Sequence, residues 1–120
     1  MRSPAARLVL AALALGALVL SAALLREPPE PYVVTAIDYH FHDAHPTSPI
    51  APGRDLVVKN AGRNTHNVTF EALGVNEDIA PGSALTIEDI ADRLDPGRYT
   101  FFCHFHIDRG MTGDVVIVGG

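Results

Sequence analysis

The stretch FFCHFHIDRGM (101–111) holds the chain's single cysteine, Cys103, followed closely by His104, His106 and Met111. A thiolate, two imidazoles and a thioether within nine positions can serve as metal ligands. Cys103 ends an apolar, aromatic segment, and the chain must then turn to reach the last apolar run. That turn lets His106 and Met111 fold back over the sulfur. A fourth ligand has to come from elsewhere, and His66, which opens HNVTF (66–70) after the loop AGRNT, is the natural choice. Two imidazoles, one thiolate and one weak thioether are the ligand set of an electron-transfer copper centre. Thiolate and thioether favour Cu(I), and imidazole with thiolate accepts Cu(II).

Other chemistries use some of the same residues. Structural zinc takes more thiolates, and catalytic zinc on one Cys and two His needs an open position that Met111 would cover. A Cys/His nucleophilic pair would need an oxyanion or base-orienting motif, and none stands out. A buried thiol beside surface histidines needs no metal at all. The ligand types alone leave copper and these readings open.

The elements that must position these groups read as strands. The segments are YVVTAIDYHF (32–41), DLVVKN (55–60), HNVTF (66–70), SALTIEDI (83–90), RYTFFCHF (98–105) and GDVVIV (113–118). Ala-Pro-Gly precedes two of them and Asp-Pro-Gly a third. Short strands punctuated by Pro and Gly predict an all-β sandwich or barrel. Residues 90–94 suit one helical turn.

Ahead of this domain, residues 8–25 read LVLAALALGALVLSAALL, without a charge, flanked by Arg2, Arg7 and Arg26. A helix of this length can just span a bilayer. A buried core helix would show a polar face, and this run has none. Residues 1–26 are therefore expected to be a hydrophobic helix. It acts either as a signal peptide, with Ser21-Ala22-Ala23 as a cleavage site, or as a retained signal anchor. The flanking positive charge directs the rest of the chain outside the cytoplasm, periplasmic or extracellular, secreted or tethered to the membrane through 8–25. EPPEP (27–31) suits a stiff spacer, and the domain occupies 32–120. Six basic residues there face twelve carboxylates, a balance that argues against nucleic acid. One cysteine cannot make an internal disulfide, so in an oxidising compartment it has to be buried, bonded to a partner or coordinated to metal.

YTFFCHFHIDRGMTGDVVIV (99–118) resembles the blue-copper signature of the cupredoxin family, which includes plastocyanin and pseudoazurin. Cys103, His106, Gly110, Met111 and Gly113 match it without a gap. GRDLVVKNAGRNTHNVTF (53–70) is similar to the family's first-histidine region. The resemblance implies an eight-stranded Greek-key β-sandwich with one type 1 copper held by His66, Cys103, His106 and Met111. It also implies that Asn67 ties the two ligand segments together and hydrogen-bonds the sulfur, a kind of contact that tunes a metal. Only six strands are legible here, so some edge strands and the small helix are expected to be reduced. Three departures stand out. Phe105 replaces a frequent Pro, Phe102 replaces plastocyanin's Tyr, and EALG (71–74) follows Phe70 where plastocyanin's acidic patch would begin. A photosynthetic partner is therefore not supported.

His104, next to Cys103, faces the other way on a strand and is expected not to bind the same metal. In some copper enzymes of related fold, a histidine at that place bridges to another metal. His40 and His42 share one strand face, and His45 follows in a loop. With His104 they make a candidate second metal site, the alternative being an exposed polar strand end.

The expected function is a blue-copper carrier of single electrons outside the cytoplasm, not an enzyme. Its partners would be redox proteins such as a cytochrome, an oxidase or a reductase. The rival reading is a copper chaperone or resistance protein. A third, a small copper enzyme, would need His104 and the cluster at 40–45 to build an open site.

Overall fold

The computed structural model describes residues 27–44 and 48–119. The hydrophobic helix expected over 1–26, and His45, lie outside the described residues. Among those described, no helix is long and apolar enough to cross a membrane.

Eight strands form two four-stranded sheets. They are β1 (Tyr32–Ile37), β2 (His40–His42), β3 (Leu56–Asn60), β4 (His66–Phe70), β5 (Val75–Ile79), β6 (Ala84–Ile87), β7 (Gly97–Phe102) and β8 (Thr112–Ile117). One sheet runs β2-β1-β3-β6 and the other β5-β4-β7-β8. The strand pairs are antiparallel except β1 with β3. The expected all-β sandwich is present, with two more strands than the six legible in the sequence.

Both additional strands have a physical origin. The run 32–41, rich in β-branched and aromatic residues, reads as one strand, but the chain reverses at Asp38-Tyr39, so Ile37 pairs with His40. Asp38 takes φ 50 there, a left-handed conformation that Asp tolerates better than most residues. The other strand, β5, reads VNEDI and is mostly exposed. It lies at the edge of its sheet, where polar and charged residues discourage pairing with other chains. Gly74, at φ 65, turns the chain from β4 into β5. The small helix is a single turn, α1 (Ile90–Arg93), entered through Asp89 at φ 47. The spacer 27–31 has no regular structure, and its end is tied down by Arg54, whose Nε donates to the Glu30 carbonyl at 2.8 Å.

The core lies between the sheets. Val34, Ala36, Leu56 and Val58 fill it from one sheet, and Val68, Phe70, Phe101, Val115 and Ile117 from the other. Burying a side chain of the Val, Leu or Phe type stabilises by about 1.5–3 kcal/mol. Phe101 is the hub: it stacks on Phe70 with ring centres 5.8 Å apart and meets Phe41 edge-on at 4.8 Å. Its ring covers Gly113, its cross-strand partner, so closely that a Cβ there would lie 2.5 Å from Cζ. Ile50, fully buried, adds to the core and makes an isolated parallel bridge to Ile117 of β8.

Candidate metal centre

His66, Cys103, His106 and Met111 gather at one end of the second sheet, because its strands are antiparallel. His66 is the first residue of β4, Cys103 follows β7, His106 precedes the 3-10 turn Ile107–Arg109, and Met111 precedes β8. β7 is shorter than expected, so Cys103 to Phe105 belong to the loop. His66, Cys103 and Met111 are fully buried, and His106 is half-buried.

The loop holds its own shape. The Cys103 N–H donates to the Met111 carbonyl at 3.1 Å, which closes the loop at its base. The His106 N–H donates to the Cys103 carbonyl at 3.1 Å, and the Met111 N–H to the His106 carbonyl at 3.2 Å. Gly110 takes φ 76 to end the 3-10 turn. These bonds fix the three loop ligands relative to one another without help from proline, whose usual place Phe105 occupies.

The ligand atoms of His66, Cys103 and His106 lie within 4.8 Å of one another. Cys103 Sγ is 3.6 Å from His106 Nδ1. A metal about 2.0 Å from nitrogen and about 2.3 Å from sulfur, in tetrahedral geometry, separates the two by roughly 3.5 Å. Neither ring nitrogen of His66 has a hydrogen-bond partner. Buried polar groups are nearly always satisfied, so two unpartnered ring nitrogens suit His66 to the role of metal ligand. Gly62 makes room beside them, since a Cβ there would lie 3.0 Å from His66 Nε2. The donor set therefore fits a metal. Thiolate with imidazole suits copper, and the cluster, with Met111 beside it, is consistent with a type 1 site.

Burial is the main cause that lowers the His66 pKa, followed by the nearby His106; Asp38 opposes both. A neutral His66 keeps its lone pair free for a metal.

Asn67 links β4 to the ligand loop. Its backbone N–H donates to Cys103 Sγ at 3.3 Å, and its Oδ1 accepts from the His104 N–H at 3.4 Å. The same Oδ1 accepts from Thr69 Oγ1 at 2.6 Å. Its Nδ2 donates to Asn76 Oδ1 at 2.8 Å and to Asp78 Oδ1 at 2.9 Å. Sequence reasoning missed Asn76 and Asp78, because both sit on β5. Alternating polar residues there could have signalled an edge strand.

It also missed Tyr39. The Tyr39 ring meets His106 edge-on at 5.0 Å, and the Arg109 guanidinium lies 4.2 Å over that ring. Arg109, though exposed, thus links the loop to the β1–β2 turn. Phe105 and Ile107, each 47% exposed, flank His106.

The second histidine group comes together in part. His40 and His42 project from β2 with ring centres 5.9 Å apart. His104 is exposed and packs on Phe105 at 4.2 Å. Among the described residues, the one group of three or more Cys, His and acidic ligands is that of the buried centre, and it contains neither His104 nor the pair.

A family model described as a cupredoxin-like domain matches residues 8–117. The plastocyanin major isoform, chloroplastic, of Arabidopsis thaliana is 32% identical over 80 residues, which cover 57% of this chain and 47% of that protein. The chain thus spans about half the length of this curated relative. Among solved structures, a reduced mutant amicyanin matches with TM-score 0.59 and 21% identity, covering 73% of this chain and 82% of the other. A mutant fern plastocyanin matches with TM-score 0.58 and 16% identity, covering 72% and 99%. Amicyanin from Paracoccus versutus matches with TM-score 0.56 and 22% identity, covering 77% and 85%. At these identities the structural matches speak for the fold.

Proposed function

The chain belongs to the cupredoxin-like domain family, and from that premise we propose that it carries single electrons on one type 1 copper held by His66, Cys103, His106 and Met111. The observation that carries this reading is the buried convergence of His66, Cys103 and His106 with both His66 nitrogens unpartnered. The copper would supply the one-electron couple.

The residues around it do the rest. A loop already closed by its own hydrogen bonds keeps the ligands in place, so a change of oxidation state meets little reorganisation. The Asn67 N–H withdraws electron density from the sulfur, and such contacts tune a metal's potential. His106 is the only ligand of the four that reaches solvent, so electrons would pass along its edge. Phe105 and Ile107 give that edge an apolar rim suited to brief docking of a redox partner, such as a cytochrome, an oxidase or a reductase.

The chain is similar to plastocyanin and amicyanin, and the fully buried Met111 would close the centre against substrate. The charge flanking residues 8–25 supports a location outside the cytoplasm, secreted or tethered.

The test is the visible spectrum of the copper-loaded chain. An intense blue band that bleaches on reduction and returns on oxidation is expected, and Cys103→Ser should abolish it. A pale spectrum from wild type, or a blue band surviving Cys103→Ser, would refute the assignment. The rival reading, a copper-handling protein, draws its support from the exposed pair His40 and His42.

A further inference from the structure

We propose that His40 and His42 form a second metal site, a two-imidazole chelate for Cu(II) on the outer edge of the sandwich. The claim goes beyond the buried centre and does not depend on it.

The geometry begins with Phe41. Its side chain is buried and packs against Phe101 at 4.8 Å. Alternate residues of a strand share a face, so seating Phe41 inward sends both neighbours outward together, as the exposure of His40 and His42 shows. β2 ends its sheet, and both rings face solvent.

An ion about 2.0 Å from a ring nitrogen lies about 3 Å from the ring centre, so two rings on one ion have centres at most about 6 Å apart. The observed 5.9 Å lies inside that limit, as does the 5.4 Å between His66 and His106. Among the described residues, neither ring of the pair is held by a hydrogen bond or an ion pair, so both can turn their nitrogens to an ion. Imidazole is a good ligand for Cu(II), Zn and Ni, and tetragonal nitrogen and oxygen coordination favours Cu(II). Asp38 and Asp43 flank the pair, and the chain's net charge of -5 draws cations toward it.

The two sites differ in kind. The buried centre surrounds its ion with protein. The pair would leave positions to water, so its ion exchanges freely. Both join the same hairpin, because Tyr39, which precedes His40, packs on His106. The pair therefore suits capture of copper beside the rim of the buried centre.

The experiment uses the full, untagged chain in a nonionic detergent. After one equivalent of copper has filled the buried centre, a second equivalent of Cu(II) salt is added and followed by EPR. The expected result is one further bound equivalent with a tetragonal Cu(II) signal and an unchanged blue band. The double variant His40→Ala/His42→Ala should lose that signal, and His104→Ala should keep it. No second equivalent in wild type, or undiminished binding in the double variant, would overturn the proposal. If the first equivalent gives no blue band, the carrier reading fails by itself. The pair is then read by titrating Ni(II) into Cys103→Ser with and without His40 and His42; equal binding by the two overturns it.

Discussion

Three of the four candidate ligands were legible as residues because they crowd into one loop: Cys103, His106 and Met111 stand within nine positions, and their types name a chemistry. His66 needed a second clue, its place at the start of a strand after a polar loop. The hydrogen-bonded surroundings were less legible, because Asn76 and Asp78 reach Asn67 only through the β4–β5 pairing. Asn67 therefore bears a specific load. Asn67→Ala removes the acceptor of Thr69 and the donor to Asn76 and Asp78, while keeping the backbone N–H beside the sulfur. Loss of such supporting contacts typically weakens metal binding about 10–100-fold. Competition with a chelator of known copper affinity measures the change. An affinity equal to wild type would mean that the backbone alone aligns the sulfur.

At the scale of elements, the sequence pattern located the strands with strong apolar alternation and lost those without it. HNVTF was placed residue for residue. β5 was hidden by its charges, and the break between β1 and β2 was hidden because aromatic and β-branched residues stand on both sides of the turn. Gly113 shows an element set by a close approach. It matched a family signature in sequence, and the structure supplies the reason, the Phe101 ring lying over it. Gly113→Ala forces that ring away from Phe70 and Phe41, and overpacking of this kind costs about 1–3 kcal/mol. A lowered urea midpoint with an unchanged slope is the expected readout. Adding Phe101→Leu, which shortens the side chain, should recover part of the loss. If Gly113→Ala alone is neutral, the sheet can slide to absorb a methyl group and the fit is looser than it looks. On the tilt of the ligand loop, Arg109→Ala removes the cation over Tyr39. It should lower the barrier to opening around His106, seen as faster hydrogen exchange of the Met111 N–H.

For the whole molecule, the lowered pKa of the buried His66 ties the stability of the copper-free chain to pH. The unfolded chain binds a proton at His66 with a pKa of about 6.5. In the fold, burial and His106 lower that pKa. Between the two values the unfolded state holds more protons than the folded one, so stability rises with pH in that window. The contribution from His66 is thus fully present above about pH 6.5 and is lost as the pH falls through the folded value. Copper-free chain should show a urea midpoint that is steady from pH 8 to 7 and declines from about pH 6.5 downward. Copper held through neutral imidazole would favour the folded state, where its ligands converge, and so raise the midpoint by mass action. Chelating it away at neutral pH should lower the melting temperature, and the gap between loaded and free chain should change with pH as protons displace the metal. His66→Phe fills the buried position with an uncharged ring and should flatten the copper-free profile. A decline as steep in His66→Phe as in wild type would assign the acid sensitivity to other groups and remove His66 from its role.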